Sequence, residues 1–262
     1  MQTDDAVQKN WQLLEDELQL WNQPVAMWWR DDDAVEDTAA LRQLVSLQQL
    51  DGLIPLHLAS IPMLLKNTLP ELLSICPNVW VLQHGYNHQS NAIDGQRKVE
   101  LGGNQSLHQL MQKLTSGRKK LQKAFSQRYL DIIVPPWNRY NSVAAEAFEQ
   151  LHYKALSGLG MRGEQLSSIA LLNVHVDIID WKTRSFVGTQ TCIEKIIEQL
   201  QLRRMSPINT IEPLGLMTHH LAHDQACWDF LHEFMSKTAH HPKIEWLQAE
   251  QALNRQISES NN

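Results

Sequence analysis

Cysteine is scarce in this chain: its 262 residues hold three, Cys76, Cys192 and Cys227. An odd, scattered set without a C-x-x-C pair argues against a disulfide framework and a thiolate zinc site. Any bound metal must then be held by imidazole and carboxylate. Long apolar runs are missing as well; none approaches the roughly 18 to 20 residues of a membrane span. The opening MQTDDAVQKNWQLLEDELQL lacks the basic start and apolar core of a secretory signal, so a soluble, cytoplasmic protein is expected. Positive charge is in deficit, with 23 Lys and Arg against 29 Asp and Glu and a formal charge of −6. Without a long basic run the chain is a poor match to nucleic acid or anionic lipid, and neither is expected as a partner. Glycine-rich phosphate loops are absent too: no G-x-G-x-x-G or G-x-x-x-x-G-K-[ST] follows the first apolar strand, and Gly102-Gly103 stands alone. There is no internal repeat and no low-complexity linker, which favours one domain.

What is present suits a globular fold. A chain that is 43% hydrophobic and 20% charged can bury a full core, and its length fits one α/β barrel or two small domains. Trp11, Leu14, Leu18 and Trp21 recur at helical spacing and predict an amphipathic helix over residues 4–22. Val25-Ala26-Met27-Trp28-Trp29 reads as a short strand that stops at Arg30-Asp31-Asp32-Asp33. A helix is expected over 36–50, a turn at Asp51-Gly52, and a strand over 53–58. The pattern repeats: helix 63–75, strand 79–82, a polar stretch from His84 to Asn104, helix 105–127, strand 132–134, helix 142–151, strand 153–156 and strand 172–176. It closes with helix 189–203, strand 214–217, helix 225–238 and the apolar run 244–247. Strands alternating with helices of ten or more residues imply parallel pairing through crossovers, and about seven such units favour a closed barrel. Residues 89–103, without strand or apolar helix character, are either an active-site flap or a plain surface loop.

In a parallel barrel the functional groups gather at the carboxyl ends of the strands. Those ends carry Arg30-Asp31-Asp32-Asp33, His84-Gly85-Tyr86-Asn87-His88, Pro135-Pro136-Trp137-Asn138, Asp177-Ile178-Ile179-Asp180-Trp181 and His219-His220. His84 and His88, spaced i, i+4, would share one face of a helical turn, and neutral imidazole suits Zn²⁺ or a similar first-row ion. Adjacent aspartates raise one another's pKa unless a cation offsets them, so a divalent ion is the natural companion of the acidic run. Asp33 alone could instead cap the helix that follows.

The ordered set of aspartate pair, H-x-x-x-H, Pro-Pro-aromatic, D-x-x-D-W and L-x-x-H, spread over residues 30–223, resembles the polysaccharide deacetylases of the NodB-homology type, carbohydrate esterase family 4. The resemblance implies an α/β fold, a distorted (β/α)7 barrel over residues 24–255, with an extra N-terminal helix in 1–23 and a polar tail in 256–262. It implies metal-dependent removal of an acetyl group, N-deacetylation first, from a sugar or glycan precursor. Zn²⁺ is the expected cofactor, and a small molecule or oligosaccharide the expected partner, with a homo-oligomer left open.

Carried over by position, the resemblance makes Asp32 the catalytic base and Asp33, His84 and His88 the metal ligands, with Asp31 as base and Asp32 as ligand fitting the same pair in another register. Pro136, Trp137 and Asn138 would shape one wall of the substrate groove, with Trp181 and Leu216 lining it further. His219 would be the general acid, in competition with His220 and His223, and Asp180 would orient it and raise its pKa. The sequence also departs from the pattern. Val134 stands where an arginine usually pairs with the catalytic aspartate, leaving Arg30 or Arg139 to substitute; Gly85 replaces a Ser or Thr; and Asn138 replaces a glycine. A non-catalytic carbohydrate-binding or scaffolding protein and an amidohydrolase acting on a non-sugar amide are the alternatives.

Overall fold

The computed structural model describes residues 4–49, 54–161, 169–205 and 212–260. In chain order the elements are α1 (Asp4–Gln19), β1 (Val25–Ala34), α2 (Ala39–Gln49), β2 (Leu56–Ser60), α3 (Thr68–Ser74), β3 (Val79–His84), α4 (Leu107–Phe125), β4 (Tyr129–Val134) and α5 (Ser142–Gln150). There follow β5 (Ala155–Leu156), β6 (Ala170–Leu171), β7 (Val176–Asp177), β8 (Ile179–Asp180), β9 (Ser185–Phe186), α6 (Thr189–Met205), β10 (Leu214–Thr218), α7 (Gln225–Thr238), β11 (Ile244–Trp246) and α8 (Ala249–Ser260). None of the described helices is long and apolar enough to cross a membrane.

The residues group into two compact units. One comprises Met1–Arg30, Gln43–Leu56 and Val174–Asn262. Its strands follow the order β11, β1, β10, β7, with Val25 opposite Ile244 and Leu216 opposite Val176 in parallel ladders. α1 packs on α6 and stacks Trp11 against Phe230 and Phe234 of α7. The Asp224 side chain caps α7 by accepting from Cys227 N, and the helix then buries Trp228, Leu231, Phe234, Met235 and Thr238 at helical spacing.

The other unit comprises Asp31–Arg42 and His57–Asn173 and orders its strands β6, β5, β4, β3, β2. The ladders are parallel, with His84 opposite Val134, Ile133 opposite Leu156, and Ala155 opposite Ala170. Ser106 and Gln109 form a capping box at the start of α4. That helix buries Leu110 and Leu114 in one cluster with Ile133, Ala147, Phe148 and Leu156. Gly117 of α4 is a close-approach position, since a Cβ there would lie 2.7 Å from Nε2 of Gln83.

Several expectations need correction. β1 does not stop at Arg30; it runs on through the acidic residues to Ala34, with Arg30, Asp31 and Asp32 buried. Polarity is a poor strand terminator where neighbouring elements supply partners for buried charge. The expected helix 63–75 is a single 3-10 turn at Pro62–Leu64 followed by the short α3. The expected strand 172–176 does not form: β6 ends before it at Leu171 beside β5, and β7 begins only at Val176, beside β10. The antiparallel hairpin of β8 and β9 and the C-terminal α8 were not expected from the sequence; α8 includes residues 256–260 of the expected polar tail. The Asp51-Gly52 turn lies outside the described residues.

Candidate metal centre

Two strand ends and the turn after the second bring three candidate ligands to one point. Asp33 is the next-to-last residue of β1 and sits in the left-handed region (φ 75°), and His84 is the last residue of β3. The chain then reverses through Gly85 (φ 52°) and reaches His88, itself left-handed (φ 56°). The two imidazoles therefore meet across a strand end and a tight turn, not along a helical turn as the i, i+4 spacing implied; their centroids are 5.2 Å apart. Nε2 of His84 and Nε2 of His88 each lie 3.3 Å from Oδ1 of Asp33. The candidate ligand atoms all fall within 4.8 Å of one another. Thr38, accepting from Leu41 N at 3.0 Å, caps α2, so helix capping does not account for Asp33.

The donor set fits a divalent first-row cation. Nδ1 of His84 lies 3.1 Å from the Val134 carbonyl. A carbonyl only accepts, so the proton is on Nδ1 and the Nε2 lone pair is left toward Asp33, the supporting arrangement usual for metal-binding histidines. Burial lowers the His88 pKa, and the neighbouring His84 lowers it further against the opposing Asp33 charge, which favours the neutral, ligating form. His84 is buried, while the side chains of His88 and Asp33 keep 23% and 30% exposure, so the site is open on one side.

Trp137 lies with its ring against that of His88, tilted by 54°, with ring centroids 4.5 Å apart. It and Asn138 are consecutive non-glycine residues at positive φ, 56° and 52°, a strained pair placed beside the candidate ligands. Pro136 is buried in the same 3-10 turn. Asp32 is buried, and its negative charge reaches His88. Arg139 donates to the Lys98 carbonyl at 3.2 Å.

The remaining predicted residues belong to the other unit. Trp181 is half exposed and stands edge-on to His219, with centroids 4.6 Å apart. Its indole Nε1 donates to Oδ2 of Asp177 at 2.7 Å. Asp180 instead accepts from Lys182 N at 2.9 Å, and that bond, first among its causes, holds the carboxyl below its usual range. The carboxylate bonded to Trp181 is thus Asp177, which received no role in the sequence reading. Leu216 and His220 are buried, His223 packs its ring on Trp228, and Arg30 donates to Met217 Sδ at 3.1 Å.

Glu100 was also missed. Its buried carboxylate accepts from Tyr86 N at 2.8 Å and Asn87 N at 2.9 Å through Oε1, and from His88 N at 3.0 Å through Oε2. Burial raises its pKa and the three amides oppose that rise. With Leu101 buried beside it and bridged to Tyr140, the end of the 89–103 segment is anchored. The available signal was one glutamate between Val99 and Leu101 in an otherwise polar stretch.

No family model matches the sequence, and no curated protein matches it. Solved structures do. That of a provisionally assigned polysaccharide deacetylase from Mycobacterium smegmatis superimposes with a TM-score of 0.62 at 14% identity, covering 91% of this chain and 93% of that one. The fold is that of the polysaccharide deacetylases. The peptidoglycan deacetylase PdaC from Bacillus subtilis matches at 0.57 and 13% identity over 91% of this chain and 94% of its own. A family 4 acetyl xylan esterase from Clostridium thermocellum, solved with a cobalt ion, matches at 0.51 and 8% identity over 87% and 90%. In this chain the deacetylase fold carries the Asp33, His84 and His88 cluster on the ends of β1 and β3 and the turn after β3.

Proposed function

We propose that this chain is a metal-dependent hydrolase that removes an acetyl group, by N-deacetylation, from a sugar or glycan precursor. The observation that carries the reading is the convergence of Asp33, His84 and His88 within 4.8 Å, next to the buried Asp32, on a deacetylase fold. A divalent cation held by these residues, Zn²⁺ by preference, would supply a Lewis acid for the acetyl carbonyl and would lower the pKa of water. Asp32 takes the proton from the attacking water as general base. The amine departs only when protonated, and His219 is assigned that proton on its motif, with Trp181 fixing one side of its ring. Trp137 forms a wall beside His88, with Asn138 following it in the same turn.

Metal analysis combined with acetate release tests the reading. Stoichiometric zinc and acetate released from N-acetylglucosamine oligomers, with Asp32→Asn keeping the zinc and losing roughly 10²-fold or more of the rate, is the expected result. Zinc without turnover on any acetylated sugar would favour a non-catalytic carbohydrate-binding protein, a reading for which Val134, in the position of the usual arginine, is the specific support. A wild-type protein that binds no divalent metal would refute the hydrolase.

A further inference from the structure

Every backbone polar group of the turn from Gly85 to His88 that the structure assigns is bonded to something outside the turn's own residues. The Gly85 carbonyl accepts from Nε2 of Gln83 at 3.0 Å, and Gly85 N donates to the Val134 carbonyl at 3.0 Å. The Tyr86 carbonyl accepts from Met63 N at 2.8 Å. The three amides that follow, on Tyr86, Asn87 and His88, all point at one carboxylate, that of Glu100. Consecutive backbone N–H groups converging on an anion form a nest, and here the anion is a side chain of the same chain. The Glu100 backbone is in turn fixed, because its carbonyl accepts from Nδ2 of Asn91 at 2.7 Å and from Nε2 of Gln105.

Gly85 supplies the room. A Cβ on it would lie 2.5 Å from Oε2 of Glu100 and 2.7 Å from Pro136, at a φ of 52° that side chains already disfavour. A larger residue and the buried carboxylate cannot both occupy that space. The absence of a hydroxyl at position 85 and the presence of a carboxylate at position 100 are therefore two sides of one arrangement.

We propose that Glu100 is a positioning residue for the metal centre: by holding the amides of Tyr86, Asn87 and His88 it fixes the His88 imidazole over Asp33, and Gly85 is the vacancy that admits it. Glu100 touches neither substrate nor the reacting atoms; it acts through His88. The inference rests on the metal-dependent reading proposed above.

Zinc and cobalt titrations of the wild-type chain, Glu100→Gln and Glu100→Ala test it, with amide hydrogen exchange of the metal-free proteins read alongside. Glu100→Gln keeps the shape but turns an NH₂ toward one of the three donors, so it is the variant that keeps a fold if Glu100→Ala loses it. Loss of a group that orients a metal ligand costs on the order of 10- to 100-fold in metal affinity. Glu100→Gln is expected near the lower bound and Glu100→Ala near the upper. Both are expected to release the amides of residues 86–88 to exchange and to alter the visible spectrum of the bound cobalt. A folded Glu100→Gln protein that binds zinc within twofold of wild type, with an unchanged cobalt spectrum, overturns the proposal and leaves the hydrolase reading intact. Failure of the wild type to bind either ion overturns both, so the two failures are told apart by the wild-type titration alone.

Discussion

Two histidine and carboxylate groupings among the described residues are built from the same residue types and differ in what surrounds them. At the candidate metal centre, His84 and His88 meet Asp33, whose side chain keeps 30% of its surface exposed. In the other unit, His175 lies 3.4 Å from Oε1 of Glu212 with exposures of 0% and 1%. Gly215 N donates to Nδ1 of His175 at 3.0 Å, and Nη2 of Arg203 lies 2.9 Å from its Nε2. Arg203 closes that cluster, its Nε donating to the Glu212 carbonyl at 2.8 Å and its Nη1 to the Gln199 carbonyl at 2.9 Å. Burial pushes the guanidinium down to about 10, which still leaves it charged at neutral pH. A guanidinium therefore occupies the role that an exchangeable cation would otherwise fill. The open cluster presents imidazoles and a partly exposed carboxylate to a ligand; the sealed one spends its groups on each other. Residue type alone does not separate a ligand site from a structural ion cluster. Solvent access and the bond made by the second ring nitrogen do.

The contrast can be broken or sharpened by experiment. The largest effect is expected for His88→Ala, which removes a ligand outright and should cost more zinc affinity than the roughly 100-fold upper bound for losing a supporting hydrogen bond; calorimetric titration checks it, and its unfolding in urea without metal should be close to wild type. Glu212→Ala should do the opposite. It removes the carboxylate charge that acts on the buried Arg203 guanidinium, leaves the bond to the residue 212 carbonyl in place, and should cost on the order of 1 to 3 kcal/mol of stability by urea unfolding, with zinc affinity unchanged. Should the two variants exchange phenotypes, the distinction drawn between the clusters is wrong.

Gly85→Ala combines a steric conflict with Glu100 and a left-handed backbone, so a loss of roughly 1 to 3 kcal/mol is expected from overpacking and strain. A similar Gly160→Ala change, at a position with open space around it, isolates the backbone part of that cost. The smallest effect is a pH dependence. Burial lowers the His175 pKa below its unfolded value, so the unfolded chain takes up the proton first as pH falls. The stability contributed by neutral His175 is complete above about pH 6.5 and is lost below it, by about 1.4 kcal/mol for each unit of pKa depression. Urea unfolding between pH 7.5 and 5 should show that decline, and His175→Gln should flatten it.

How much of this was legible beforehand depends on how local each feature is. Helix α7 matches its expected span of residues 225–238 because its signals, the Asp224 cap and the apolar spacing that follows, lie within the segment itself. The continuation of β1 through Arg30, Asp31, Asp32 and Asp33 was not legible, because what stabilises buried charge there comes from residues distant in sequence, such as Met217 against Arg30. The spacing of His84 and His88 was plain, yet the geometry it suggested was not the one adopted; a positive φ at Gly85 and His88 brings the rings together instead. Glu100 was invisible as a partner of residues 86–88 because its role depends on the turn first bending toward it.

The sequence by itself determined the alternation of strand and helix, the scarcity of cysteine, and a supply of histidine and aspartate at the ends of apolar strands, since periodicity and residue chemistry are properties of short segments. Only the tertiary structure decided which of three consecutive aspartates shares an oxygen with both imidazoles, and which of two chemically similar clusters stays open. Those outcomes turn on backbone direction and on which neighbours exclude water, and neither is encoded within any one segment of the chain.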